Sequence, residues 1–447
     1  PVKGICIPEL DVVILPISEN EYYTRFGNEV RIQEVKVEEI KGKRGAILDV
    51  LFFIEDNEGN RLYLDKKKLR FLKMLPKRLD FDKLQTEPKS TKELFEMISK
   101  FLAEHIDGSS HYHTLGTLFI FQSWLYEATN SVFYLSVKAP FGGGKTTAGG
   151  TIVELCKNGF SVSDISVASV ARTIDALGGV TFFDELDQTV SEVRTELLRI
   201  LRAGQKRGEA WYSRANQKGE VLFFFVYGPK IFSIHGEIEE ALSQRCFSIT
   251  LTPTRQRKYI IRNILRDPKE IYTELFKWFV SPEGQRIFLK LKFARLVIYK
   301  DTLLFNLPFL EKTLAFWLDF WKDSQFAEKL KGRNAELLLL LSLYASLLGI
   351  LDDIKEHIKK IIWEKILEDE ALKQKEILAI FRDRLLKIYE LIKRHIEGKA
   401  YLLDEGLSDE DFISQEGVIQ IPRSLVFSEF RKTLKQEGLH ISDARFR

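Results

Sequence analysis

Sulfur-containing residues are scarce in this sequence, which has three Cys and two Met among its 447 residues. Cys6, Cys156 and Cys246 lie far apart, without the C-x-x-C spacing of a zinc site or the clustered pairs of a disulfide framework. The sequence therefore argues against a zinc centre and against disulfides. Because this cysteine usage favours a reducing compartment, we expect a cytoplasmic protein.

Two further features are missing, namely a large charge of one sign and an apolar run long enough to cross a membrane. Lys and Arg number 67 and Asp and Glu number 64, so the formal net charge is only +3. Any contact with nucleic acid must therefore come from local basic patches. The apolar stretch 337–351 is too short to span a bilayer and is interrupted by Ser342, Tyr344 and Ser346, so we expect a buried helix and no membrane partner.

Four regions follow one another along the chain. Residues 1–80 alternate apolar and polar positions between tight turns, which predicts a small β-rich domain, either a structural adaptor or an oligonucleotide-binding barrel. Strand and helix patterns alternate over 90–255, which predicts an α/β core with a mostly parallel sheet and helices on both faces. Region 256–400 is predicted to be an all-α lid and C-terminal helical domain, and 401–447 to be part of a winged helix.

A glycine-rich segment, APFGGGKTT at 139–147, has the composition of a phosphate-binding loop (P-loop) between a β-prone stretch and a predicted helix. Its glycines let backbone N–H groups approach phosphates, and the N-terminus of the helix directs its dipole at the anion. We expect Lys145 to reach the β- and γ-phosphates of ATP and the Thr146 hydroxyl to bind Mg²⁺. The predicted nucleotide-binding residues are Ala139, Pro140, Phe141, Gly142, Gly143, Gly144, Lys145, Thr146 and Thr147.

One position departs from the usual pattern of such loops, since Ala139 stands where the first Gly is expected. An alanine is compatible with the loop where its φ is negative.

An acidic pair, Asp184 and Glu185, ends the apolar stretch 180–183. In P-loop enzymes the Asp holds the Mg²⁺ shell and the Glu polarises the attacking water, whereas the alternative is a surface pair that caps the next helix. The loop and the acidic pair together predict an ATPase.

Over about residues 115–255 the sequence resembles AAA+-type ATPases. The resemblance implies a three-layer αβα core around a parallel sheet. His235, after the strand 230–234, stands where that family carries a polar sensor, usually Asn, and Ser233 is the fallback for that role. The sequences of several segments are also similar to those of ATPases and replication helicases of archaeal plasmids, viruses and phages.

A second family signature lies at 241–246, where ALSQRC is similar to the Ser-Arg-Cys box of clamp loaders. This similarity implies that Arg245 is an arginine finger that reaches the nucleotide of a neighbouring subunit. The alternative is an ordinary exposed arginine before a core strand. A finger acting in trans implies a homo-oligomer, which for this family is a ring, and we expect a hexamer.

A predicted hairpin at about 208–226 precedes the sensor strand. In minichromosome-maintenance helicases, which the chain resembles here, a hairpin in this place projects basic residues into the ring pore. We therefore expect Arg214 and Lys218 to contact nucleic acid, with Trp211 and Tyr212 beside them suited to contacts with single strands. The alternative is a solvated turn with scattered charges.

These observations predict ATP hydrolysis with Mg²⁺, coupled to binding and translocation on single-stranded or forked DNA, by a ring-forming replicative-type helicase of a mobile genetic element. The main alternative is an AAA+-like remodeller or loader that uses the same ATP cycle on a protein partner. A third hypothesis is a scaffold that binds nucleotide without turnover, which the presence of Glu185 makes less favourable.

Overall fold

The structure is a computed structural model, and its described part leaves several segments out. The described residues are 5–7, 12–16, 21–26, 29–41, 47–55, 58–64, 79–80, 83–84, 86–162, 166–187, 191–215, 219–236, 239–254, 256–299, 308–322, 329, 333–396, 413–415 and 418–420. The chain divides into two compact units, Pro1–Ile366 and Leu367–Arg447. Within the described residues, no helix combines the length and apolarity needed to cross a membrane.

The first unit begins with two antiparallel sheets in which consecutive strands are neighbours. The four-stranded sheet contains β1 Ile5–Ile7, β2 Val12–Pro16, β3 Glu21–Phe26 and β4 Glu29–Glu34. The three-stranded sheet contains β5 Lys36–Lys41, β6 Ile47–Glu55 and β7 Arg61–Leu64. Gln33 links the two sheets, because its amide donates to Thr24 Oγ1 (2.9 Å) and its carbonyl accepts from the Glu55 backbone N–H (3.2 Å).

Five parallel strands form the central sheet of the first unit, in the order β14-β8-β13-β10-β9. These strands are β8 Tyr134–Lys138, β9 Phe160–Val162, β10 Thr181–Phe183, β13 Lys230–Ile234 and β14 Cys246–Thr250. Every residue of β10 and β13 is buried, as expected for parallel strands covered by helices on both faces. The predicted α/β core with a parallel sheet and flanking helices is therefore confirmed.

The core helices lie between these strands, with two more ahead of β8. They are α1 Thr91–His105, α2 Ser110–Leu125, α3 Lys145–Leu155, α4 Val167–Leu177, α5 Ser191–Ala203 and α6 Glu240–Ser243. An antiparallel hairpin, β11 Trp211–Ala215 and β12 Val221–Phe225, stands between α5 and β13. Helix α3 packs closely on β10, since a Cβ at Gly149 would lie 2.3 Å from the Phe182 ring.

Helices follow the core to residue 396. They are α7 Arg257–Ile264, α8 Lys269–Val280, α9 Pro282–Tyr299, α10 Pro308–Lys322, α11 Arg333–Leu347 and α12 Leu351–Ile396. Helix α8 shares the core of α2, where Trp124 lies 5.6 Å from Phe279 and 6.4 Å from Phe276 between ring centroids. This shared aromatic packing joins the helical region to the sheet domain within the first unit.

The second unit contains the last part of α12 and a short hairpin, β15 Ile413–Gln415 with β16 Val418–Gln420. Apart from this hairpin, the predicted winged-helix segment lies outside the described residues. The domain boundaries derived from the sequence therefore stay predictions.

Strand order determines where the predicted functional motifs meet. After β8 the chain crosses to the edge strand β9, returns through β10 and β13, and then passes β8 to reach the opposite edge at β14. Open parallel sheets bind ligands outside the carboxyl ends of strands where the direction of winding reverses. Because β13 lies between β8 and β10, its carboxyl end stands between the glycine-rich loop and the acidic pair.

Candidate active site

The glycine-rich loop between β8 and α3 requires glycine at all three central positions. Gly142 and Gly144 have φ of +70° and +83°, in the left-handed region that favours glycine. A Cβ on Gly143 would lie 2.5 Å from Ala139 Cβ and 2.9 Å from Pro140 O. The Gly143 N–H donates to Pro140 O at 3.0 Å and closes the turn. Ala139 is not among the residues with positive φ, so its Cβ is compatible with the loop.

Lys145, the first residue of α3, is 5% exposed and turns back over the loop. Its Nζ donates to Ala139 O (3.1 Å) and lies 2.7 Å from Nδ1 and 3.0 Å from Nε2 of His235. The His235 ring in turn lies against Phe141, with centroids 3.9 Å apart and the ring planes 30° from parallel. An ammonium group has only donors, so the ring nitrogen that bonds to it must accept. Phe141 itself is 77% exposed.

A chain of hydrogen bonds joins the loop to the acidic pair. Thr146 Oγ1 donates to Asp184 Oδ2 (2.8 Å), and Ser233 Oγ donates to Asp184 Oδ1 (2.6 Å). The Glu185 backbone N–H donates to Ser233 Oγ (2.7 Å). Glu185 has a φ of +50°, an unfavourable conformation for a non-glycine residue that occurs preferentially at functional sites. Its carboxylate lies 3.5 Å from His235 Nε2.

Asp187 is a further acidic residue of this site, and sequence reasoning missed it. Its Oδ2 accepts the backbone N–H groups of His235 (2.8 Å) and Gly236 (3.0 Å), so it holds the carboxyl end of β13 against the turn after β10. Its Oδ1 is buried and has no hydrogen-bond partner among the described residues. The only available signal was the third acid in the run DELD at 184–187.

A cavity of about 740 Å³ extends from the glycine-rich loop towards α7, within the size range of small-molecule sites. Its loop end includes Gly142, Gly143, Gly144, Thr146, Thr147 and Asp184. Its far end includes the apolar side chains of Ile106, Ile260 and Ile264. Arg266 also lines the cavity, and its guanidinium bonds both carboxylate oxygens of Glu154 (2.7 and 2.8 Å). Arg266 was not identified from the sequence, because its place in the cavity depends on the pairing of the segment after α7 with Glu154 of α3.

Thr146 and Asp184 present the oxygens expected of a magnesium site. In an octahedral complex with metal–oxygen bonds of 2.0–2.1 Å, adjacent ligands lie roughly 2.9 Å apart, close to the 2.8 Å between Thr146 Oγ1 and Asp184 Oδ2. The described residues contain no group of three or more His, Cys, Asp or Glu side chains able to hold a metal. A two-oxygen site of this kind suits Mg²⁺, which usually takes its other ligands from water and phosphates.

Arg245 lies at the other end of the sheet. It precedes β14, and its backbone oxygen accepts from the N–H of Tyr134 at the start of β8, whereas the glycine-rich loop follows the end of β8. The length of a five-residue strand, about 17 Å, therefore separates Arg245 from the loop of its own chain. The guanidinium donates to Ala241 O, and its Nε is buried without a partner among the described residues. Burial lowers the pKa of Arg245, and the nearby Arg333 adds to that shift.

The β11–β12 hairpin carries the residues predicted to bind nucleic acid. Arg214 is exposed, and Lys218 lies outside the described residues. Tyr212 is buried and its hydroxyl donates to Glu196 Oε2 (2.6 Å), so it is an anchor of the hairpin and does not belong to the exposed surface. Trp211, on the opposite side of the strand, is exposed.

Comparisons with known proteins do not identify a family or a function for this chain. No protein-family model matches the sequence, and no curated protein matches it. Among solved structures the chain is similar to JCV helicase, crystallised with a thiazolopyridinyl-phenoxyphenyl acetamide, at 15% identity over 51% of this chain and 72% of that chain. The TM-score of this match is 0.25, which is too low to support an argument about function. The functional assignment therefore depends on the site itself.

Proposed function

We propose that this chain is an AAA+-type P-loop ATPase that couples ATP hydrolysis to binding and translocation on DNA, as a ring-forming helicase of a mobile genetic element. The observation that carries the ATPase assignment is the hydrogen-bond chain from Thr146 through Asp184 and Ser233 to the backbone of Glu185. That chain joins a phosphate-binding loop to an acidic pair on a non-adjacent strand, as hydrolysis of a nucleoside triphosphate requires.

Each residue of the site has a definite task in the proposed reaction. Backbone N–H groups of 142–144 and the Lys145 ammonium bind the phosphates. Thr146 and Asp184 hold Mg²⁺, which neutralises charge on the phosphate oxygens when bound. Glu185 accepts a proton from the water that attacks the γ-phosphate.

His235 contacts both the lysine of the phosphate loop and the Glu185 carboxylate. The Lys145 ammonium bonds to the His235 ring and to Ala139 O, and we propose that it exchanges these partners for the phosphates when ATP binds. The ring nitrogen released in this way, 3.5 Å from the Glu185 carboxylate, then orients the attacking water or the γ-phosphate.

The apolar far end of the cavity suits the base of the nucleotide. Ile260 and Ile264, one turn apart on α7, are 56% and 76% exposed and face the same cavity as the phosphate loop. Covering such side chains with a flat purine removes apolar surface from water on both partners. Binding of ATP therefore brings α7 and the loop together around one ligand.

Turnover requires a second copy of the chain under this proposal. Arg245 is a strand's length from its own phosphate loop, so a finger role for it is possible only across a subunit boundary. A cation placed at the γ-phosphate of a neighbour contributes roughly 10³–10⁵ in rate in related enzymes. We propose a hexameric ring as the assembly that supplies this contact.

ATP hydrolysis measured with a panel of nucleic acids, at low salt and with light scattering for mass, tests the proposal. We expect single-stranded DNA to raise the rate several-fold, Lys145→Ala to abolish it, and ATP to increase the mass. Lys322→Ala, which removes an exposed lysine far along the chain on α10, is the matched control and should hydrolyse ATP normally. Hydrolysis that no nucleic acid stimulates would contradict the helicase assignment and favour a remodeller of proteins.

A further inference from the structure

The backbone at the carboxyl end of β13 has a fixed place, whereas the ring of His235 needs a further restraint. Asp187 Oδ2 accepts the backbone N–H groups of His235 (2.8 Å) and Gly236 (3.0 Å). The torsion that orients the imidazole joins an sp³ carbon to an sp² carbon, and such torsions have broad, roughly two-fold preferences. The bonds to Asp187 therefore hold the backbone without determining the plane of the His235 ring.

The ring of Phe141 supplies this restraint. The centroids of the Phe141 and His235 rings lie 3.9 Å apart and their planes are 30° from parallel, so the phenyl group covers one face of the imidazole. Offset-stacked aromatic rings attract one another beyond the effect of the apolar surface that they bury. Rotation of the imidazole out of this plane would drive its edge into the phenyl ring. The stack therefore restricts the imidazole to orientations that lie along the phenyl face.

The place of Phe141 is set by the phosphate loop and not by the strand that carries His235. The Gly143 N–H donates to Pro140 O (3.0 Å), which closes a turn around Phe141. A Cβ at Gly143 would lie 2.9 Å from the same oxygen, so the turn is tight enough to require glycine there. The stack thus joins the phosphate loop to the end of β13.

The edge of the same imidazole faces the groups that act on the phosphates. Lys145 Nζ lies 2.7 Å from Nδ1, and the Glu185 carboxylate lies 3.5 Å from Nε2. In the proposed function Lys145 leaves the ring for the phosphates, so this edge contact is lost when His235 must orient the water or the γ-phosphate. The stack with Phe141 uses the face of the imidazole and not its nitrogens. It is therefore compatible with both arrangements of Lys145.

We propose that Phe141 is a positioning residue, which holds the His235 imidazole in a plane that directs its nitrogens at the γ-phosphate and the attacking water. This inference rests on the proposed function and goes beyond it, because it connects the sensor to the phosphate loop through two stacked side chains. The side chain of Phe141, which the sequence places among the nucleotide-binding residues, then acts through His235 and not through a nucleotide contact of its own.

A double-mutant cycle of Phe141→Leu and His235→Gln tests this role, with Mg²⁺-dependent ATP hydrolysis measured in the absence of nucleic acid. Phe141 is 77% exposed, so a leucine removes the aromatic ring and leaves the buried core intact. Phe141→Leu should lower kcat roughly 10-fold with unchanged ATP affinity, because the imidazole loses its alignment. In the His235→Gln background the same change should have no further effect, since its target is gone.

Two matched variants and one spectroscopic signal separate stacking from other effects. Phe141→Tyr keeps a ring against the imidazole and should retain most of the turnover that Phe141→Leu loses. Phe223→Leu makes the same change at another phenyl group, 64% exposed on β12, and should hydrolyse ATP as the wild type does. In NMR spectra of the nucleotide-free chain with isotope-labelled histidine, the Cε1–H signal of His235 should lie upfield of its position in Phe141→Leu. A proton above an aromatic ring is shielded.

The failures have separate meanings. Wild-type kcat in Phe141→Leu, or a His235 signal that the substitution does not move, would overturn the positioning role and leave the ATPase assignment intact. A weaker ATP affinity, or an equal loss of rate in both backgrounds, would show that Phe141 acts without His235 and would also overturn it. A loss of oligomeric mass in Phe141→Leu would place the ring at a subunit contact instead. A wild type without ATP hydrolysis would contradict the proposed function and the inference together.

Discussion

The two ends of the central sheet carry different side chains, a group of carboxylates at one end and Arg245 and Lys230 at the other. At the carboxyl ends, Asp184, Glu185 and Asp187 are joined to the phosphate loop and to β13 by hydrogen bonds. At the amino ends, Arg245 precedes β14 and Lys230 begins β13, and neither has a carboxylate among its hydrogen-bond partners. One end therefore holds a set of groups suited to a metal and phosphates, while the other holds two basic side chains with no phosphate loop within reach.

Under the proposed function, this difference accounts for a chain that contains all the catalytic groups and yet needs a partner to use them. In that proposal the acidic end, with Lys145, binds Mg²⁺ and ATP in a single copy of the chain. The finger candidate at the basic end can contact a phosphate only if it meets the acidic end of another copy. The comparison thus predicts that a substitution at the acidic end stops ATP hydrolysis in the subunit that carries it. A substitution of Arg245 should instead stop hydrolysis in the neighbouring subunit.

Among the effects that this comparison predicts, the largest comes from Arg245→Ala. Its removal should lower the rate of ATP hydrolysis by roughly 10³-fold while ATP affinity is unchanged, because the finger contacts the transition state of another subunit. Mixing Arg245→Ala with Glu185→Gln subunits should restore part of the activity, since each inactive copy supplies what its neighbour lacks. Arg199→Ala, at an exposed position of α5, is the control. A mixture as inactive as either variant alone would contradict action in trans.

A second effect concerns stability at the basic end. Lys230 is fully buried with its Nζ donating to Val226 O and Gly228 O (2.8 Å each), and burial lowers the pKa of Lys230 to about 7. Above that pH the unfolded chain still binds the proton that the folded chain has released. The free energy of unfolding should therefore rise between about pH 7.5 and 9.5, by up to about 1.4 kcal/mol per pH unit.

Denaturant unfolding of the wild type and of Lys230→Met across that pH range measures this contribution. The methionine variant cannot titrate, so its stability should rise less steeply with pH than that of the wild type. Identical slopes in the two proteins would show that Lys230 keeps its proton in the folded chain, and the buried amine at the basic end would then be charged.

The smallest expected effect comes from Ser233→Ala at the acidic end. The alanine removes the donor to Asp184 Oδ1 and the acceptor of the Glu185 N–H, so both carboxylates lose part of their orientation. We expect kcat to fall roughly 10-fold with little change in KM. Ser136→Ala on the neighbouring β8 is the matched control, because its buried Oγ has no partner among the described residues. Equal rates for both variants would mean that Ser233 plays no part in positioning.

How much of the fold and of the candidate site can be predicted from the sequence depends on whether the interactions are local or join segments that are distant in the chain. The glycine-rich loop and the acidic pair were recognisable because their constraints are local: Gly142 and Gly144 need positive φ, and Asp184 directly follows a buried strand. The parallel core followed from the alternation of strands and helices. Resemblance to a family was needed to suggest a role for Arg245.

The remaining features of the site depend on contacts between distant segments. Asp187 is recognisable only once β13 is seen to lie beside β10, and Arg266 only once the segment after α7 is seen to pair with Glu154 of α3. The burial of Tyr212 depends on Glu196 of α5. No periodicity or motif encodes these pairings, because strand order and helix docking determine them.

The most direct test of the central claim is Mg²⁺-dependent ATP hydrolysis by the wild type and by Glu185→Gln, with ATP binding measured in parallel. The account predicts steady turnover by the wild type, and ATP binding of unchanged affinity with at least about 100-fold slower hydrolysis in the variant. Equal hydrolysis by the two proteins, or a wild type that binds ATP without hydrolysing it under any condition, would contradict the assignment of this site as an ATPase.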